Sequence, residues 1–313
     1  MILKRKFLFI WLNNTWKNKR GRFFVLFLLP SFAGVTVFVL IPFLDVVKRS
    51  FLTAVTGEWT GLNNYNLLVH NQAFRLAIHN TLRFTRVGIP LLVLSGLVIA
   101  VLISSLLTNR SGAGQNARMI EYGKGFKYLY LFPMAVPTAV VVLVWKMVFS
   151  GHGFLNLGLT KLGGYSGLWE AVTTDYMATG ASFYVLVASY LWKNTGYTVV
   201  LWLAGIMAVP KELTDAAAVD GANAWKRLWY IILPQLKGTL YTIVILSFLN
   251  SFKIFREAYL VAGSYPQQDI YLLQHLFNNW FVNLDFDKMA AAAVCVGGFI
   301  FIFTMLLQSL WDR

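Results

Sequence analysis

Six stretches of the chain are each long and apolar enough to cross a bilayer, and this repetition limits the fold more than any other feature. They cover residues 23–47, 81–107, 128–149, 183–209, 236–262 and 289–311. A helix rising 1.5 Å per residue needs about 20 residues to cross the roughly 30 Å of hydrocarbon. No soluble core of this size can bury six such helices. Composition agrees: 58% of the 313 residues are hydrophobic and only 13% are charged, against roughly 25% charged in soluble domains. Lipid offers no partners to backbone N–H and C=O groups, so each crossing segment must satisfy its own. The expectation is an all-α polytopic membrane protein with about six transmembrane helices. The third and fifth stretches are the least uniform, because Pro133 and Pro137 interrupt one and Lys253, Arg256 and Glu257 lie in the other.

The net charge of +14, from 27 basic and 13 acidic residues, would suggest nucleic acid on a soluble protein. In a membrane protein it reports which loops face the cytoplasm, and no nucleic-acid partner is expected. With the N-terminus inside, sixteen Lys and Arg fall on inside segments and eight on outside loops and span ends, so both termini are read as cytoplasmic. The first span is too long for a signal-peptide core and no A-x-A-like site follows it. Before it, Leu3, Phe7, Ile10, Trp11 and Asn14 recur at helical spacing beside Lys4, Arg5 and Lys6. Residues 3–16 are therefore expected to form an interfacial helix on the inner leaflet, the alternative being a disordered basic tail. This gives a cytoplasmic segment 1–22 and a membrane domain 23–313. Trp59, Tyr65, Trp169, Tyr176, Trp280 and Trp311 stand where spans end, as an aromatic belt requires.

Several chemistries are excluded. The single Cys295 permits no internal disulfide or cysteine metal site, and His70, His79, His152 and His275 show no i, i+4 pairing. A phosphate-binding loop fails because Arg118 stands where the first glycine before Gly123-Lys124 would be needed. The chain is not expected to be an enzyme or to carry a cofactor. A stand-alone secondary transporter needs intramembrane acids for ion coupling, and the spans hold almost none beyond Glu257. A membrane enzyme needs convergent His, Asp or Cys groups; a channel needs a pore ring. Neither is visible.

One inside segment, 210–234, differs from the other loops. Pro210 suits the first position of a helix continuing over 211–219. Asp215, Ala216, Ala217 and Ala218 give that helix a small-residue face, and Gly221 stands where a C-terminal cap favours positive φ. Asn223 can cap a second helix from Ala224, which Pro234 should end before the fifth span. Two short helices with a glycine corner make a rigid knob.

The spacing Asp215-Ala216-Ala217, Gly221, Ile231, Leu233, Pro234 resembles the signature loop of binding-protein-dependent ABC importer permeases. Asp215 replaces the usual glutamate, which shortens the charged arm. Further likenesses point to the maltose-type carbohydrate branch: Leu29-Pro30, Pro42 and Ser50-Phe51; Asn80-Thr81; Gly153 to Asn156; and the alanines at 290–293. The region 252–281 departs from the commonest maltose-type pattern. The resemblance implies a permease in a bacterial inner (cytoplasmic) membrane, paired with a homologous second permease as a heterodimer. It further implies two ATPase subunits, which would bind ATP and Mg, and an extracytoplasmic solute-binding protein. Glu212, Asp215, Ala216, Ala217, Asp220, Gly221, Ile231, Leu233 and Pro234 would form the ATPase-coupling loop, with the 212–224 segment docking on the ATPase.

In the fourth span Tyr190, Asn194 and Tyr197 recur on one helical face, as do Ser247, Asn250 and Ser251 in the fifth. The resemblance makes these faces the lining of a sugar path, with Tyr197 and Ser247 matching in residue type. The other reading is that they hold the helices together. Lys253 is expected to pair with Glu257 at i, i+4 and to snorkel outward together with Arg256. Alternatively these charges and Lys193 face the path and favour an acidic, uronic sugar. A related importer for a phosphate ester or another solute also remains open.

Overall fold

The computed structural model describes residues 19–109, 131–164 and 174–311. The expected interfacial helix at 3–16, the basic residues Arg110, Arg118, Lys124 and Lys127, and Trp169 lie outside these residues. The regular elements of the described residues are all helical, the one strand-like feature there being an isolated bridge between Leu52 and Trp59.

The helices are α1 (Lys19–Val35), α2 (Ile41–Arg49), α3 (Asn63–His70), α4 (Gln72–Asn109), α5 (Thr138–Phe149), α6 (Phe154–Gly164) and α7 (Ser182–Ala208). They continue with α8 (Lys211–Val219), α9 (Ala224–Arg227), α10 (Leu233–Gln235), α11 (Lys237–Ser251), α12 (Phe255–Ala262), α13 (Leu273–Val282) and α14 (Phe286–Trp311). Among the described residues, five helical runs are long and apolar enough to cross a membrane: Leu26–Arg49, Gln72–Ser105, Thr138–Lys161, Lys237–Ala262 and Phe286–Ser309. The expected fourth span is α7, whose 27 residues suffice for a crossing. Its centre is less apolar, because Lys193, Asn194, Thr195 and Tyr197 follow one another there.

Proline shapes several of these runs. Pro137 is extended (ψ 140°) and breaks the third span before Thr138. Two π-turns, Thr36–Leu40 and Leu228–Ile232, each end shortly before a proline. In the first, the Ile41 N–H reaches back to Thr36 O; in the second, the Leu233 N–H reaches Leu228 O. A proline supplies no N–H and crowds the carbonyl four residues earlier. Widening the preceding turn removes that clash without ending the helix. Pro234 accordingly does not terminate the second loop helix, contrary to expectation; the helical path runs on to Gln235 and breaks at Leu236 (φ −82°, ψ 8°).

The chain divides into two compact units, residues 1–68 with 284–298 and residues 69–283 with 299–313. In the first, Asn64 Nδ2 donates to Ser50 O (3.0 Å) and Leu52 O (2.9 Å), while Ser50 and Tyr65 hydroxyls meet at 2.6 Å. These bonds fold the 50–62 loop back on itself. Ala290, Ala291 and Ala292 are buried. Among the described residues of the second unit, one apolar cluster includes Phe84, Tyr190 and Ile254 and another Ala100, Trp202 and Ile243. Gly205 lets α7 approach the start of α11, where an added Cβ would meet Thr239 Oγ1 at 2.6 Å. Small residues at such crossings are what lipid-embedded helices use to pack closely.

Candidate functional site

The segment between the fourth and fifth spans forms the corner expected from its residues. Pro210 (φ −57°, ψ 130°) precedes α8 as its cap, one position earlier than read from sequence. Its ring drives Val209 into an extended conformation (ψ 126°), which separates α7 from α8. At the other end Gly221 has φ 77°. Its N–H donates to Ala218 O (3.1 Å) and the Ala222 N–H to Ala217 O (2.9 Å), the double bond pattern of a Schellman cap. Nothing lies within 4 Å of where a Gly221 Cβ would be, so dihedral angle and not space calls for glycine there. Asn223 Oδ1 then accepts from the Lys226 N–H at 2.8 Å and starts α9. Glu212, Asp215, Ala216 and Asp220 are exposed, as are Leu213 and Val219, while Ala217, Ile231 and Leu233 are half-buried.

The two polar faces of α7 and α11 meet. The Tyr190 hydroxyl donates to Ser247 O (2.7 Å), and the hydroxyls of Tyr197 and Ser247 are 2.9 Å apart. Tyr190 and Ser247 are almost wholly buried, and Phe84 packs edge-on against Tyr190 at 5.2 Å. Asn194 donates back to Tyr190 O (2.8 Å) and Ser251 to Phe248 O (2.7 Å), so both spend hydrogen bonds within their own helices. Tyr197 and Asn250 remain half-buried. In this conformation Tyr190 and Ser247 join helices, while Tyr197 and Asn250 keep a partly open edge.

The expected Lys253–Glu257 pair does not form. Glu257 accepts instead from Lys193 Nζ at 2.9 Å, across from α7 to α12, and the same ammonium donates to Thr138 Oγ1 of α5 at 3.0 Å. Lys253 Nζ donates to Asn250 Oδ1 (2.9 Å), and Arg256 is exposed. Glu257 is buried, and a buried carboxylate gains more from a cation brought in by a neighbouring helix than from an exposed one on its own. A small cleft adjoins Glu257, lined in part by Trp145, Ser182 and Ser189. The Trp145 indole donates to Ser189 Oγ there (2.9 Å).

Sequence reasoning gave Asn80 and Thr81 only as a family likeness and missed that they, with His275, hold the segment before α13. Asn80 donates to the carbonyls of Gln268 and Tyr271, and Thr81 Oγ1 accepts from the Leu273 N–H at 3.1 Å. His275 is fully buried; its Nδ1 accepts from the Leu272 N–H (3.1 Å) while Phe255 crosses it edge-on at 4.7 Å. Burial lowers the His275 imidazole to about 4. The available signal was polar residues at the start of an apolar run, which need partners once buried. Among the described residues, no group of three or more His, Cys, Asp or Glu could hold a metal ion.

Comparison with known proteins places these features in context. The chain is 30% identical over 240 residues to the arabinooligosaccharides transport system permease protein AraP of Bacillus subtilis strain 168, covering 75% of this chain and 71% of that one. It is 25% identical over 301 residues to the trehalose/maltose transport system permease protein MalF of Thermococcus litoralis, covering 94% and 95% of the two chains. Its fold matches a chain from the crystal structure of a bacterial ABC transporter involved in import of the acidic polysaccharide alginate. The TM-score is 0.77, with 19% identity over 95% of this chain and 98% of that one. Residues 113–313, which include the glycine corner and both polar faces, match the model of the binding-protein-dependent transport system inner membrane component. The chain is therefore a multi-pass membrane protein of the binding-protein-dependent transport family, a transport component and not an enzyme.

Proposed function

We propose that the chain is the permease subunit of an ATP-driven importer for a sugar or oligosaccharide handed over by an extracytoplasmic binding protein. The observation that carries this reading is the exposed α8–Gly221–α9 corner, stiffened by caps on both sides within the region shared with the family. Two short helices locked at fixed dihedral angles transmit displacement instead of absorbing it. The chain lies in the inner membrane with both termini in the cytoplasm, the segment 1–22 preceding the membrane domain. A homologous second permease completes the path, and two ATPase subunits bind ATP and Mg and grip α8 through Glu212, Asp215 and the alanine face. Their closure rocks the spans as rigid bodies between inward- and outward-facing states.

The sugar passes between the faces of α7 and α11. Tyr197 and Asn250 supply the accessible hydroxyl and amide, and Tyr190, Asn194, Ser247 and Ser251 set their positions. The names of the relatives, for arabinooligosaccharides and trehalose/maltose, support a neutral carbohydrate. So does the Lys193–Glu257 pair, which cancels the charge of Lys193 beside the path. An acidic sugar is the second reading, favoured by the exposed Lys253 and Arg256 and by the fold neighbour's alginate substrate. Competition of uptake by neutral and uronic oligosaccharides separates the two. In vesicles holding the full complex, Tyr197→Ala is expected to cut uptake while basal ATP hydrolysis continues. Unchanged uptake would leave these residues as helix joints only.

A further inference from the structure

From Gly221 to Arg256 the chain contains no Asp or Glu. Within that run the helical path from α9 to α10 is exposed and mixed in character. Trp225, Trp229 and Tyr230 are 64%, 52% and 80% exposed. Trp225 and Trp229 are one helical turn apart and pack edge-to-face at 5.6 Å, so they share one side. Lys226 is exposed next to Trp225 in sequence, Arg227 is half-buried, and Lys237 is exposed at the start of α11. The preceding α8 has the opposite character, with exposed Glu212 and Asp215 and with Asp220 at its end. Only Leu236 separates α10 from the membrane-crossing run that starts at Lys237, which keeps the aromatic-cationic segment close to the bilayer surface.

Indole and phenol rings are favoured at headgroup depth, where their apolar bodies leave water and their polar edges stay hydrated. Anionic lipids attract lysine and arginine to the same depth. We propose that the α9–α10 segment rests on anionic lipid headgroups of the cytoplasmic leaflet. Trp225, Trp229 and Tyr230 insert at headgroup level, Lys226, Arg227 and Lys237 meet lipid phosphates, and α8 stays free for a protein partner. The proposal rests on the membrane orientation given under Proposed function. It makes Gly221 the joint between a lipid-held half and a motor-held half, so that the lever turns about a fixed depth.

The test uses the complete transporter in nanodiscs containing brominated phosphatidylglycerol or brominated phosphatidylcholine, at equal bromine content. The quenched signal is the difference between wild type and Trp225→Phe/Trp229→Phe, which isolates the two indoles. Stronger quenching by the anionic lipid is expected. That preference should fall about fivefold for each of Lys226→Gln, Arg227→Gln and Lys237→Gln, the factor that one cation contributes near an anionic surface. It should also shrink at high salt. Equal quenching by both lipids, or no change on removing the two tryptophans, overturns the proposal and points to a protein covering this face. Sugar-stimulated ATP hydrolysis of the same wild-type preparation keeps the two claims apart. Stimulated hydrolysis without lipid preference sinks only this inference, whereas absent stimulation sinks the functional reading.

Discussion

Lys193 and Glu257 stand 64 residues apart, yet among the described residues they form the one ion pair whose two side chains are both less than one-fifth exposed (19% and 4%). Removing one member strands the other, a loss of about 3–5 kcal/mol for buried pairs. Glu257→Ala should therefore lower the thermal unfolding midpoint in detergent, and Lys193→Met/Glu257→Leu should recover most of the loss. Equal destabilisation by the single and double changes would show that the pair itself is not what matters. Periodicity could not reveal this partner, because i, i+4 reasoning sees one helix at a time and Lys253 was the only cation at that spacing. The leftover charges did show that a partner was needed. Tyr190, Tyr197 and Ser247 were legible for the opposite reason: each face is visible within a single helix, and two such faces in adjacent spans are natural partners. His275 gives a pH signature. Its folded value of about 4 lies below the roughly 6.5 of an unfolded chain, so between those values the unfolded state binds a proton that the fold excludes. Stability should be complete above pH 6.5, fall by about 3 kcal/mol down to pH 4, and level off below. Thermal melts of His275→Gln should lack this step; an identical pH profile would assign it elsewhere.

Among the elements, the α8–α9 corner was the most legible because each of its signals is local: a proline before the helix, a glycine at the turn and an asparagine cap. Gly221 is required by its φ of 77°, where a side chain costs about 1–2 kcal/mol. Gly221→Asn, which tolerates that conformation, should retain much of the sugar-stimulated ATP hydrolysis in vesicles. Gly221→Pro cannot reach a positive φ and should abolish stimulation while the complex still assembles. Persistent stimulation in the proline variant would remove the corner from the coupling path. The π-turns at 36–40 and 228–232 were not legible, since proline predicts relief of a clash but not whether the helix breaks or widens. Here the widened turn keeps α9 continuous with α10, which carries the corner's direction up to the fifth span.

At the scale of the molecule, apolar run length found the helices, and among the described residues five runs meet length and composition together. The fourth, α7, sacrifices hydropathy to carry Lys193, Asn194 and Tyr197, and twelve of its residues are buried. A helix shielded by its neighbours can tolerate polar groups that lipid would not. Orientation rests on the loop charges alone, and the proposed work of the molecule depends on it: α8 must lie on the cytoplasmic side, where a nucleotide-driven partner can hold it. The direct measurement is to replace Cys295 with serine, introduce Ala222→Cys, and label with a membrane-impermeant thiol reagent in intact cells and in inverted membrane vesicles. Labelling in inverted vesicles only is the predicted result; labelling in intact cells would contradict it.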